Sequence, residues 1–140
     1  MKVLVGEDDK LVSLLVCGIL RDEGHQTLAA YDQMQVLMFA LKVPAPDAIV
    51  LDLNMPGGKG GETLRRLKSS ARTAHIPVIV LTGTSDPSAP NLVRELGGES
   101  FMPKPVNRVQ LLDELEWVTR RRVMVPAEMS SRKAALFTYE

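Results

Sequence analysis

The chain has a single cysteine, Cys17, and therefore no internal disulfide and no Cys-rich zinc site. Cys17 stands among apolar neighbours, where packing is the expectation and redox chemistry is not, and a reducing compartment fits. Net charge is missing as well. Seventeen Lys and Arg stand against seventeen Asp and Glu, so no global field draws the protein to nucleic acid or to an anionic membrane surface. Aromatic residues make up only 4% of the chain, and the run Arg120, Arg121 and Arg122 lacks the aromatic interleaving of a nucleic-acid surface. It reads as a cationic cap on the carboxyl end of a helix, and no direct nucleic-acid contact is expected. Long hydrophobic runs are also absent. Val3 to Val5 is too short for the core of a signal peptide, and no later stretch approaches a membrane span. The expectation is a soluble, cytoplasmic protein with no membrane partner.

At 140 residues the chain suits one domain with a buried core. Strand-like and helix-like segments alternate along it, the pattern of helices covering a parallel sheet. Val3 to Val5, Thr27 to Ala30, Ala48 to Leu53, Val78 to Leu81 and the segment around Phe101 and Met102 read as strands. The third lacks polar alternation, as expected when both faces of a strand are buried. A first helix begins at Asp9, with Leu11, Leu14, Leu15, Gly18 and Ile19 at helical spacing and Gly24 as its stop. A second spans Met34 to Lys42, with Leu37, Met38 and Leu41 on one side and Pro44 and Pro46 beyond it. A third covers Glu62 to Ser69 after the glycine-rich loop Gly57, Gly58, Gly60 and Gly61. The fourth is short, because Pro87 and Pro90 restrict its start. Asn107 and Gln110 have the spacing of a capping box for the last helix, which carries Leu111, Leu112, Leu115 and Val118 and ends near Pro126. Met34, Met38 and Met55 read as packing residues. The domain is expected to span 1–122. Residues 123–140 form either an unstructured tail, a short docking helix around Lys133 to Phe137, or the start of a linker.

The strand ends carry the chemistry. Val3 to Val5 runs into Glu7 and Asp8, Ala48 to Leu51 into Asp52, Val78 to Leu81 into Thr82, and Phe101 and Met102 lead to Lys104. In an open parallel sheet the carboxyl ends of the strands share one edge, so these acids, hydroxyl and ammonium gather in one pocket. A carboxylate attacks an anionic phosphoryl donor only where surrounding charge is neutralised. Hard oxygen ligands such as these suit Mg²⁺. Asp9, by contrast, reads as the helix N-cap.

Four motifs occur in order: Val-Leu-Val-Gly-Glu-Asp-Asp from Val3, Pro46-Asp47 through Leu51-Asp52-Leu53-Asn54-Met55-Pro56-Gly57, Leu81-Thr82-Gly83, and Met102-Pro103-Lys104-Pro105. From about Lys2 to Arg120 the chain resembles the response-regulator (CheY-like) receiver domain of two-component signalling. The resemblance implies a flavodoxin-like (βα)5 fold with strand order 2-1-3-4-5, and Asp52 as acceptor of a phosphoryl group from a histidine kinase or phosphotransfer protein. It implies Mg²⁺ held by Asp8 and Asp52 directly, by the Asn54 main-chain carbonyl, and by Glu7 mainly through water. Lys104, before a cis peptide bond to Pro105, would balance the acyl phosphate, and Thr82 would donate its hydroxyl to a phosphoryl oxygen. Thr82 and Phe101 would form the switch, although Phe101 lacks the hydroxyl of a tyrosine. The signal would pass to a protein target through the face of the fourth helix, fifth strand and fifth helix, with self-association through that face left open. Such a protein is a phosphoacceptor and not an enzyme, beyond slow self-dephosphorylation.

Three features depart from the pattern. Gly6 replaces an apolar residue, weakening the first strand and leaving space near the site. Lys59 places a positive charge on the loop beside Asp52. Thr84 to Pro90 carries two prolines where the fourth helix begins. A flavodoxin-like electron carrier is disfavoured because Glu7, Asp8 and Asp9 would repel a flavin phosphate. An aspartyl-phosphate phosphatase would want a second acid where Asn54 stands. The remaining alternative is a phosphate-independent pseudo-receiver that serves as a binding module, which would predict loss of a site residue.

Overall fold

The structure, a computed structural model, describes residues 1–57, 61–83 and 88–120. The readings made for Lys59, Thr84 to Pro87, Arg121, Arg122 and residues 123–140 lie outside the described residues. Among the described residues five strands, β1 (Lys2–Gly6), β2 (Gln26–Ala30), β3 (Ala48–Asp52), β4 (Val78–Thr82) and β5 (Ser100–Pro103), alternate with five helices. These are α1 (Lys10–Asp22), α2 (Gln33–Ala40), α3 (Glu62–Ser69), α4 (Ala89–Glu95) and α5 (Arg108–Arg120). All strand pairs are parallel and the order is β2-β1-β3-β4-β5. This is the flavodoxin-like arrangement expected from the sequence.

β3 and β4 are buried at every position, because helices cover both faces and alternation has no solvent side to serve. On one face Leu4, Ile49, Leu51, Val78 and Val80 pack with Val36 of α2, Leu64 and Leu67 of α3 and Val93 of α4. On the other, Val3, Val5, Val50, Ile79 and Leu81 pack with Val16, Cys17 and Leu20 of α1 and Leu111, Leu115 and Val118 of α5. Cys17 is a packing residue, as expected.

Local chemistry fixes the ends of α1. Asp9 Oδ1 accepts the N–H groups of Leu11 at 2.9 Å and Val12 at 3.2 Å, as an N-cap should. At the other end Gly24 adopts φ +85°, its N–H donates to Arg21 O at 2.9 Å and the His25 N–H donates to Leu20 O at 3.1 Å. These two bonds form a Schellman stop, and the positive φ is one that glycine alone adopts without strain. Asn107 Oδ1 accepts the Gln110 N–H at 3.0 Å at the start of α5. α4 is short and takes Pro90 into its first turn, where no helical hydrogen bond is lost.

Three expectations need correction. Leu11, Leu14 and Leu15 do not face the core but are 78%, 61% and 49% exposed, while Ser13, Val16, Cys17, Ile19 and Leu20 are buried. Leucine, valine and isoleucine occupy most of the circumference of α1, so two phases satisfy helical spacing and only the packing of Val16 and Leu20 on the sheet decides between them. α2 ends at Ala40 and leaves Met34, Met38 and Leu41 exposed, burying Gln33, Val36 and Ala40 instead; Met55 alone of the three methionines packs inside. Gly6 leaves no space. A Cβ there would lie 2.7 Å from Val36 Cγ2, 3.1 Å from Leu51 Cδ1 and 3.3 Å from Met55 Cε, so the missing side chain is already filled by its neighbours.

At the amino-terminal edge of the sheet, Lys68 Nζ donates to Ala74 O at 3.1 Å, Ile76 O at 2.8 Å and Glu99 Oε2 at 2.8 Å. The other carboxylate oxygen, Glu99 Oε1, accepts the Val78 N–H at 2.7 Å. This buried pair fastens α3 to the starts of β4 and β5, and no sequence motif announces it.

The stiff Val36 side chain cannot retreat far from a new methyl group. Gly6→Ala is therefore expected to lower stability by about 1–3 kcal/mol. In a double-mutant cycle measured by urea unfolding, Gly6→Ala with Val36→Ala should cost less than the sum of the two single changes.

Candidate functional site

The register aligns the carboxyl ends of four strands. Gly6 is opposite Leu51, Asp52 opposite Leu81, and Thr82 opposite Pro103. Glu7 follows β1 directly and its N–H donates to Ala30 O at 3.0 Å, which extends the β1–β2 pairing past the strand end. Lys104 follows β5, and its N–H donates to Thr82 O at 2.8 Å. Four chain segments far apart in sequence thus deliver Glu7, Asp52, Thr82 and Lys104 to one edge.

Glu7, Asp8 and Asp52 each offer a carboxylate oxygen, and these oxygens lie within 4.8 Å of one another. Glu7 is fully buried, Asp52 is buried and Asp8 is exposed. The Lys104 ammonium lies 2.6 Å from Glu7 Oε1 and 3.7 Å from Asp52 Oδ2. Glu7 Oε2 accepts the Asp9 N–H at 3.1 Å, whereas Oε1 has no aligned hydrogen bond among the described residues; its contact with the ammonium is an ion pair. Burial pushes the Glu7 carboxyl above its ordinary range, opposed by Lys104 and the Asp9 N–H and reinforced by the charge of Asp52. Burial alone would lower the Lys104 ammonium, but Glu7, Asp52 and Asp8 outweigh it and hold the group above its ordinary range. Lys104 is thus a fixed positive charge among three acids.

Asn54 donates its N–H to Asp52 Oδ1 at 3.2 Å, while its own side chain is exposed. Thr82 is buried at the end of β4. Among the described residues, a Cβ on Gly83 would meet Lys104 Cδ at 3.5 Å. The Lys104–Pro105 peptide bond is cis. Phe101 is buried in the core on the α4 side of the sheet. One residue near the site carried no sequence signal: Gln33, at the start of α2, bonds to Pro56 in the loop after β3 and to Thr63 in the first turn of α3.

The donor set fits a hard divalent cation. Among the described residues three carboxylates stand close together, one oxygen is buried without an aligned hydrogen bond, and the Lys104 ammonium opposes them.

The model of the response regulator receiver domain matches residues 3–116. The chain belongs to that family. This receiver is 32% identical over 120 residues to the phosphate regulon transcriptional regulatory protein PhoB of Klebsiella pneumoniae, a match covering 86% of this chain and 52% of that protein. It thus spans about half the length of PhoB. Among solved structures it is similar to the chemotaxis response regulator CheY4 of Vibrio cholerae, with 28% identity and a TM-score of 0.76 over 84% of this chain and 97% of that one. It is also similar to the signal receiver domain of a histidine kinase from Syntrophus aciditrophicus, with 29% identity and a TM-score of 0.78 over 89% and 93% of the two chains. Among the described residues no helix is long and apolar enough to cross a membrane.

The raised Glu7 carboxyl has a consequence for stability. In the metal-free receiver its contribution is fully present below the usual glutamate value of 4.5 and is lost as pH rises through the higher value in the fold. Urea unfolding in chelator, between about pH 4 and 7, should show wild-type stability falling relative to Glu7→Gln as pH rises.

Proposed function

We propose that this receiver is a phosphoacceptor in which the Asp52 carboxylate takes a phosphoryl group from a histidine kinase or phosphotransfer protein. The observation that carries the reading is the meeting of Glu7, Asp8 and Asp52 with the Lys104 ammonium at one sheet edge. Mg²⁺ would be held by Asp8, Asp52 and the Asn54 main-chain carbonyl, with Glu7 acting mainly through water. When bound, it supplies neutralisation of the carboxylates and of the incoming phosphoryl oxygens.

An Asp52 carboxylate oxygen attacks phosphorus as the bond from phosphorus to the donor nitrogen breaks, and the electron pair leaves with the imidazole. Lys104 places its ammonium beside the new acyl phosphate, where fixed positive charge is most effective because the pocket is partly dry. The Thr82 hydroxyl donates to a phosphoryl oxygen and draws the end of β4 inward. Gly83 leaves that side open. Phe101, on the neighbouring strand, responds by repacking, which changes the surface of α4, β5 and α5 offered to a protein target or to a second copy.

Residues 1–122 form the signalling unit in this reading, with 123–140 as a tail or linker, in the cytoplasm. Direct nucleic-acid contact is left out of its role: the formal charge is zero, and the transcriptional activity in the name of PhoB belongs to a protein of which the match covers about half. Self-dephosphorylation is the only reaction attributed to the receiver itself.

Intact mass after incubation with acetyl phosphate tests the proposal. One phosphoryl adduct is expected in Mg²⁺ and none in excess chelator. Asp52→Asn should take up none, and Lys104→Ala should slow uptake roughly 100-fold. An unmodified wild type with a competent donor and Mg²⁺ would instead support a phosphate-independent binding module.

A further inference from the structure

The loop from Leu53 to Gly61 joins β3 to α3 and carries Asn54. At its start the Leu53 N–H donates to Leu81 O at 3.3 Å, and at its end the Gly61 N–H donates to Leu53 O at 3.4 Å. Among the described residues the loop is also supported by Gln33, a buried polar residue in the first turn of α2. The Gln33 main-chain N–H, one of the donors that a first helical turn leaves without a helical acceptor, donates to Pro56 O at 3.0 Å. Its side-chain Oε1 accepts the Thr63 hydroxyl at 3.2 Å in a buried bond. Its Cβ stands 3.3 Å from the position a Cβ on Gly57 would take. A single residue therefore holds the loop at Pro56 and Gly57 and the first turn of α3 at Thr63. The turn behind it is fixed as well, because Asp32 Oδ1 accepts the Gln35 N–H at 2.8 Å and Gln35 Oε1 accepts the Tyr31 N–H at 2.7 Å.

We propose that Gln33 is a positioning residue for the cation site, holding the β3–α3 loop that carries the Asn54 main chain. The inference rests on the phosphoacceptor reading and deepens it. A main-chain ligand has no rotamer of its own and is only as well placed as the loop that carries it. Groups behind a ligand commonly set affinity by removing the cost of ordering it. Gln33 contributes no charge to the site; it acts through the loop.

Calorimetric titration of the whole chain with Mg²⁺ provides the direct readout, alongside the acetyl phosphate uptake rate at saturating Mg²⁺ and the thermal unfolding midpoint. Gln33→Ala and Thr63→Val should raise the Mg²⁺ Kd about tenfold, while the saturated rate stays within about threefold. Thr63→Ser, which keeps the hydroxyl, should hold the Kd within about twofold. If Gln33→Ala does not fold, the Thr63 pair decides. An unchanged Kd in folded Thr63→Val, or a Kd as weak in Thr63→Ser as in Thr63→Val, overturns the proposal while wild-type uptake leaves the phosphoacceptor reading standing. A wild type that binds no Mg²⁺ and takes up no phosphoryl group overturns both.

Discussion

Glu7 brings a carboxylate to a point with no solvent exposure, and the Lys104 ammonium 2.6 Å away compensates for the water it has lost. The two follow β1 and β5, between which β3 and β4 lie in the sheet. The ion pair therefore spans the ends of both intervening strands. It forms only if all four strands end at a common level, because a one-residue slip of β3 or β4 would turn Asp52 or Thr82 to the opposite face. The buried strands secure that level. Every residue of β3 and β4 is inside, and a register change would turn Asp52 toward the apolar face that Leu51 now fills.

The charge balance of this edge explains why the site is suited to a partner and poorly suited to stand alone. Among the described residues, Glu7, Asp8 and Asp52 together oppose Lys104. Burial, reinforced by the charge of Asp52, raises the Glu7 carboxyl, and the acids hold the Lys104 proton more firmly against its own burial. Polar groups that satisfied one another fully would have little reason to bind anything further. The opposite edge shows the contrast. There Lys68 meets Glu99 and two carbonyls, and the second oxygen of Glu99 takes a main-chain N–H, a closed set suited to holding strand starts in place. A closed set at one end of the strands is thus set against an unbalanced acidic cluster at the other.

The sequence was legible where one local rule acted without competition. Asp9 caps α1 because its side chain reaches two nearby N–H groups, and Gly24 ends it by a conformation other residues avoid. The acids, Thr82 and Lys104 converge because parallel topology leaves them no other edge. The face of α1 was not legible, since Leu11, Leu14 and Leu15 compete with Val16, Cys17 and Leu20 at the same period and only the shape of the sheet chooses. Gly6 misled for a related reason: absence of a side chain reads as space until Val36, Leu51 and Met55 are seen to occupy it. Gln33 and the Lys68–Glu99 pair were invisible because their partners are main-chain groups or lie some 30 residues away, at Thr63 for one and between each other for the second.

α2 joins these observations. It presents no acid to the site, yet Val36 fills the floor beside Gly6 and Gln33, one turn earlier, grips the loop above. Met55 contacts the same floor from the loop side. A movement of α2 would therefore shift the floor under Glu7 and the limb carrying Asn54 together. This double contact explains the composition of the helix: its inward positions are given to a β-branched residue, a small residue and one buried amide, which packing and hydrogen bonding constrain closely. Met34 and Met38 stand on its outer side, where neither constraint applies.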